Sequence, residues 1–112
     1  MTSATRELAE TRLNFAGLPI PSVLISAEDV QRGKPNPDCY QLAAAQLGVR
    51  SSECLVLEDT LTGIQAGITA GMQVLGIGAA IRQSLPKRTP WTRDLRRLRV
   101  ISNGDQLTVE VC

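Results

Sequence analysis

The sequence predicts an α/β protein built on a parallel sheet, and three observations predict it. Residues 54–58, CLVLE, and 72–78, MQVLGIG, are compact apolar runs of strand length. Between them, LTGIQAGITAG carries apolar residues at helical spacing and closes at Gly71. A strand, a helix and a strand within about 25 residues make a βαβ unit, whose strands run parallel and whose crossover is right-handed.

The remaining elements follow in chain order. Leu8, Leu13, Phe15 and Ala16 fall near helical spacing behind hydroxyl residues that can cap, so a helix is expected from about Ala4 to Ala16, ending at Gly17. SVLIS, residues 22–26, is a short apolar run between polar segments and suits a buried strand. In VQRGKPNPDCY, Asn36 can cap a helix and Pro37 can open it, because a first-turn residue needs no N–H; that helix runs to Gly48. Asp59 and Thr60 can cap the helix of the βαβ unit. Residues 79–93, with Pro86 and Pro90, are expected to be irregular, with low order around 80–92. RLRVI and QLTVEV, on either side of Asn103-Gly104, suit two strands joined by a turn. There is no internal repeat.

Composition narrows the function classes. At 112 residues, with 43% hydrophobic and 21% charged residues, the chain suits one ordinary globular domain, although three aromatic residues are few for its core. A net charge of +1 supplies no bulk field for nucleic acid or anionic membrane. The one basic cluster, Lys87 and Arg88 then Arg93, Arg96, Arg97 and Arg99, is local, carries no aromatic-interleaved recognition motif and is expected to be solvated surface. No stretch approaches the roughly twenty apolar residues of a membrane span, and the first residues lack the apolar run of a secretion signal. Cys39, Cys54 and Cys112 are odd in number and scattered, which suits a reducing cytoplasm. With no histidine, histidine-ligated metals and histidine-based nucleophile activation are excluded, leaving carboxylates, hydroxyls, lysine and a hard cation.

In an open parallel sheet, ligands bind beyond the carboxyl ends of the strands, where helix N-termini point their N–H groups outward. Three polar groups fall at such places: Thr2 and Ser3 ahead of the first helix, Lys34 in the loop after SVLIS, and Glu58-Asp59 at the end of CLVLE. Hydroxyls, an ammonium and two adjacent carboxylates are what phosphoryl transfer asks for: charge and hydrogen bonds for the phosphate, and oxygen ligands for magnesium. Each has a structural competitor. A lysine before proline is ordinarily solvated, an aspartate ahead of a helix is ordinarily a cap, and a hydroxyl near a chain terminus frays. Two carboxylates side by side at a buried strand end repel one another, which a cation relieves. Asp38 suits the helix start through the macrodipole, with orientation of Lys34 as its alternative role.

RGKPNPDCYQLAAAQLGV followed by SECLVLEDTLTGIQAGITAGMQVLGI resembles the haloacid dehalogenase superfamily, in the branch of β-phosphoglucomutase-like sugar-phosphate phosphatases. The resemblance covers roughly residues 2–78, and it is the pairing of Gly-Lys-Pro-x-Pro-Asp with Glu-Asp-x-x-x-Gly-x-x-Ala-Gly at this separation that is specific. It implies a Rossmann-like three-layer core and a magnesium-dependent phosphatase of small sugar or polyol phosphates. It also implies roles: Lys34 on the transferring phosphoryl group, Thr2 hydrogen-bonding the phosphate with Ser3 as the alternate alignment, Asp59 on magnesium, and Glu58 reaching the ion directly or through water.

The sequence departs from the family pattern at its chemical centre. The family's nucleophile and acid/base lie in an Asp-x-Asp-Gly-Thr motif on the central strand, and no Asp-x-Asp occurs here. The resemblance therefore implies the C-terminal portion of a core, spanning residues 1–112, without the nucleophile strand and the substrate-selecting cap, and inactive alone because no other residue replaces that nucleophile. The 54–58 strand is then expected to present an unpaired apolar edge. Such a chain is a truncated or alternatively initiated product, the result of a misassigned start, or a small protein that completes its sheet with a partner or by self-association. A non-catalytic interaction module is the rival function. WTRDLRRLRVISNGDQLTVEV matches the end of the family pattern, whereas AAIRQSLPKRTP diverges from it.

Overall fold

A computed structural model describes residues 1–111. Its elements are α1 (Arg6–Phe15), α2 (Asp38–Leu47), β1 (Leu55–Glu58), α3 (Leu61–Thr69), β2 (Gln73–Ile77), β3 (Trp91–Thr92), β4 (Leu98–Asn103) and β5 (Gln106–Val111), with short 3-10 turns between some of them. Cys112 lies outside the described residues; Cys39 and Cys54 are free thiols.

The βαβ unit forms as the sequence predicts. Strand β1 pairs in parallel with β2, Val56 opposite Val74 and Glu58 opposite Gly76. Helix α3 lies on this pair, and its closeness depends on small residues: a Cβ at Gly67 would sit 2.8 Å from Val74 Cγ2 and 3.3 Å from Val56 Cγ2. Ile64 and Ala66 of α3 are fully buried and join Val56, Val74, Met72 and the inner face of α2 in one core. Helix α2 ends at Gly48, whose φ of 70° is open to glycine at little steric cost.

Several boundaries differ from expectation, each for a local reason. SVLIS is not a strand. The segment is extended and its centre is buried, Ile25 to 1% exposure, but its neighbour supplies only two backbone bonds, Thr2 N–H to Ile25 O and Ala27 N–H to Ala4 O, both 2.9 Å, and these do not make a ladder. Helix α1 starts at Arg6 because Thr5 takes the cap, its hydroxyl accepting from Leu8 N–H at 3.2 Å. Asn36 is not the cap of α2. Its amide donates to Gly33 O at 3.1 Å, closing the turn that carries Lys34, and Pro37 takes the cap position. Thr60, rather than Asp59, caps α3 by accepting from Gly63 N–H at 3.1 Å.

Residues 79–92 hold more regular structure than expected, with only 85–90 irregular. Ala79–Ser84 form a 3-10 helix, and Trp91–Thr92 form β3, which extends the parallel sheet to the order β1-β2-β3. Ile81 and Leu85 pack over Gly76, where an added Cβ would meet them at 3.2 and 3.0 Å. The Trp91 indole N–H donates to Gly78 O at 2.7 Å, and the Arg82 guanidinium lies over the indole ring at 4.9 Å. Beyond it, β4 and β5 pair antiparallel as a separate two-stranded ribbon.

Among the described residues β1 pairs only with β2, so its other edge is open. Leu55 and Leu57 are 38% and 46% exposed there, beside an apolar groove of about 340 Å³ floored by Tyr40, Ala43, Ala44 and Met72.

Candidate active site

The pleat of β1 decides how the two adjacent carboxylates are used. Val56 and Glu58 point inward under α3, and Leu55 and Leu57 point away, so Glu58 is carried into the protein while Asp59 falls just past the strand end. Glu58 is 7% exposed, and its carboxylate lies against the first turn of α3 at Gly63. A Cβ at Gly63 would collide with both carboxylate oxygens, so that glycine makes the slot the side chain occupies.

A buried carboxylate needs partners, and Glu58 has three. The Lys34 ammonium and the Tyr40 hydroxyl both donate to Oε1, and the Thr60 hydroxyl donates to Oε2 at 3.3 Å. Burial alone pushes the Glu58 carboxyl up. The hydrogen bonds from Lys34 and Tyr40, with the charge of Lys34 and the Thr60 hydroxyl, outweigh burial and hold it below the ordinary 4.5. Burial, reinforced by the bond to Glu58, raises the Tyr40 phenol so far that it stays protonated as a donor throughout the physiological range. The Lys34 ammonium also lies 5.3 Å from the centre of the Tyr40 ring, within cation–π range.

Around this pair is a polar cavity of about 380 Å³ lined by Thr2, Ser3, Lys34, Glu58, Asp59, Thr60 and Thr62, with Met1 and Leu57. All five residues singled out in the sequence therefore face one space, at the carboxyl end of β1 and the N-terminus of α3. The carboxyl end of a parallel strand beside a helix N-terminus is where such folds bind anions. Thr2 contributes locally too: its hydroxyl accepts from Ala4 N–H at 3.1 Å. Asp59 is exposed and has no ion pair or side-chain hydrogen bond among the described residues. Asp38 does not orient Lys34. It takes a two-point bond from Arg32, at 3.1 and 2.7 Å, which holds its carboxyl below the usual range.

Among the described residues no three His, Cys, Asp or Glu side chains cluster as a metal site. A magnesium ion asks less of a protein, commonly one or two carboxylates with water and phosphate oxygens completing six. Asp59, facing the cavity with no side-chain partner, fits as one such anchor, and Glu58 Oε2, carrying only the long Thr60 bond, is the second carboxylate within the same lining. Tyr40, Thr60, Thr62 and Gly63 were not singled out as site residues in the sequence. The glycine was visible as part of Glu-Asp-x-x-x-Gly, but the phenol gave no signal, because a tyrosine in the first turn of an apolar helix looks like core.

Comparisons with known proteins identify the family. A family model for hydrolases of the haloacid dehalogenase-like type matches residues 1–71. Hexitol phosphatase A of Escherichia coli (strain K12) is 38% identical over 109 residues, covering 97% of this chain and 47% of that protein. Validoxylamine A 7'-phosphate phosphatase of Streptomyces hygroscopicus subsp. limoneus is 42% identical over 78 residues, 69% of this chain and 37% of that protein. Among solved structures, a HAD family hydrolase from Deinococcus radiodurans R1, with bound phosphate and sodium, superposes with a TM-score of 0.71 at 33% identity, covering 80% of this chain and 44% of that one. The chain thus spans about half or less of the length of these relatives. With a matching family model over more than half of its residues and a parallel α/β core of the same kind, the chain belongs to the haloacid dehalogenase-like hydrolases.

Proposed function

We propose that this chain carries the phosphate-binding half of a magnesium-dependent phosphatase acting on small sugar or polyol phosphates in the cytoplasm. The observation that carries the proposal is the convergence of Lys34, Glu58, Asp59, Thr2 and Ser3 on one cavity at a parallel strand end. Lys34, only 14% exposed, presents a fixed positive charge that offsets the charge of a phosphoryl group. Thr2, or Ser3 in the alternate alignment, donates a hydroxyl to a phosphate oxygen. Asp59 anchors the metal at the rim, with Glu58 reaching it directly or through water. Magnesium, when bound, supplies further positive charge and fixes the phosphate's orientation. The names of two relatives, a hexitol phosphatase and a phosphatase of a 7'-phosphate, support the substrate class.

No Asp-x-Asp occurs in the sequence, and the open edge of β1 ends at the cavity. The proposal therefore places the aspartate nucleophile on a strand paired along Leu55–Glu58, in the apolar groove. A second function follows from the same groove: an exposed edge with Leu55 and Leu57 beside it can bind a partner strand or a second copy without catalysis.

One experiment separates the two. Phosphate release from a panel of sugar and polyol phosphates is measured, with and without magnesium, for this chain and for a version extended at its N-terminus by a strand bearing Asp-x-Asp. Turnover in the extended version alone, lost on Lys34→Ala, is the expected result. An extended version that folds and releases no phosphate, or that is indifferent to Lys34, refutes the phosphatase proposal; self-association of the unextended chain through the β1 edge would then favour the interaction module.

A further inference from the structure

Tyr40 is buried to 3% exposure in the wall between the apolar groove and the polar cavity, and its ring could be read as core alone. Its hydroxyl argues otherwise. The phenol and the Lys34 ammonium donate to the same oxygen, Glu58 Oε1, while the tyrosine ring lies beside that ammonium, 5.3 Å from its centre. The three groups form a closed triangle: phenol to carboxylate, carboxylate to ammonium, ammonium to ring. Each comes from a different part of the chain, Tyr40 from the first turn of α2, Glu58 from the end of β1, and Lys34 from the loop before α2.

We infer that Tyr40 is a positioning residue of the phosphate site, holding the Glu58 carboxylate in the orientation that fixes the Lys34 ammonium at the cavity; this rests on the phosphate-binding role proposed for Lys34. A carboxylate gripped only by a lysine can rotate about its last torsion and carry the flexible lysine with it. A second donor on the same oxygen, mounted on a rigid buried ring, removes that freedom. The other oxygen, Oε2, then carries only the 3.3 Å bond from the Thr60 hydroxyl. Isolated packing would not need the hydroxyl at all, since phenylalanine fills the same volume.

The sequence makes the test direct, because Lys34 and Lys87 are the only lysines and Lys87 is an exposed internal reference. In the first arm, relaxation of the two 15N-labelled lysine ammonium groups is compared between the unaltered chain and Tyr40→Phe. The expected result is a Lys34 signal more ordered than that of Lys87 in the unaltered chain and mobile in the variant; a Lys34 signal equally ordered in both overturns the inference. In the second arm, inorganic phosphate is titrated into both. The expected result is binding weakened about tenfold, equivalent to about 1.4 kcal/mol. Unchanged phosphate affinity also overturns the inference. A merely structural tyrosine would lower the melting temperature of Tyr40→Phe and move neither readout. An unaltered chain that binds no phosphate refutes the proposed function separately, and the first arm still decides whether the phenol orders Lys34.

Discussion

Replacing Gly63 by alanine tests the slot that holds Glu58. Considered as a helix substitution alone, Gly63→Ala should stabilise α3 by about 1 kcal/mol, because glycine is the poorest non-proline helix former. The structure predicts the opposite sign. The added methyl would occupy the volume of the Glu58 carboxylate. A carboxylate is ordinarily a flexible end that swings aside cheaply, but this one is 7% exposed and held by Lys34, Tyr40 and Thr60. Displacing it breaks a buried ion pair, which costs about 3–5 kcal/mol. Subtracting the helix gain leaves a net loss of about 2–4 kcal/mol, or a melting temperature lower by about 8–16 °C at roughly 4 °C per kcal/mol for a chain of this size. Thermal unfolding followed by circular dichroism measures it, and a double-mutant cycle with Glu58→Ala assigns the cause, since the methyl costs nothing once the carboxylate is gone. A Gly63→Ala chain as stable as the original, or one whose loss persists unchanged in the Glu58→Ala background, would refute the reasoning.

Lys34→Ala should lower stability by about 3 kcal/mol at neutral pH by stranding the Glu58 charge. Because Glu58 titrates below its ordinary 4.5 in the folded chain, the stability it contributes is present above 4.5 and lost as the pH falls through the folded value; the gap between unaltered and Lys34→Ala chains in urea unfolding should therefore narrow as the pH is lowered through that range. Asp59→Asn should change the melting temperature by less than about 0.5 kcal/mol in equivalent stability, because the side chain is exposed, yet abolish any magnesium-dependent increase in phosphate affinity measured by calorimetry. Gly67→Ala should destabilise by about 1 kcal/mol, the overpacking against Val74 and Val56 exceeding the helix gain, with no effect on phosphate affinity.

How much of this was legible in the sequence depended on whether the signal was local. The βαβ unit could be read because its two apolar runs and its small-residue helix are contiguous, and Gly63 and Gly67 fall where α3 must come close to Glu58 and to the strands. The turn carrying Lys34 was legible from its glycine and prolines. SVLIS failed as a strand because strand status depends on a neighbour's hydrogen bonds, and composition reveals only the burial. Residues 80–92 failed in the other direction. Ile81, Leu85 and Trp91 have no regular spacing, yet all three pack where Gly76 leaves room or Gly78 leaves a carbonyl. Asp38 opens α2 as its place in the sequence suggested, and only its alternative role fails, because Arg32, six residues earlier, takes its carboxylate. Tyr40 was invisible as a site residue because the partner of a phenol eighteen residues away in sequence is a tertiary fact.

The adjacent pair Glu58-Asp59 shows why a sequence motif and its chemistry can be read together here. Two neighbouring carboxylates lining one cavity repel unless each is compensated differently. A strand's side chains alternate, so the last residue of β1 turns inward with Val56, and the next residue has left the strand and points to the rim. The inward carboxylate meets a fixed cation, Lys34, and a phenol that remains protonated, and so becomes the holder of the lysine. Its outward neighbour stays solvated and available to a hard cation. The spacing of one residue thus gives the two carboxylates different surroundings, one buried against Lys34 and Tyr40 and the other exposed. It also requires glycine at position 63, since any side chain there would take the slot that the Glu58 carboxylate occupies.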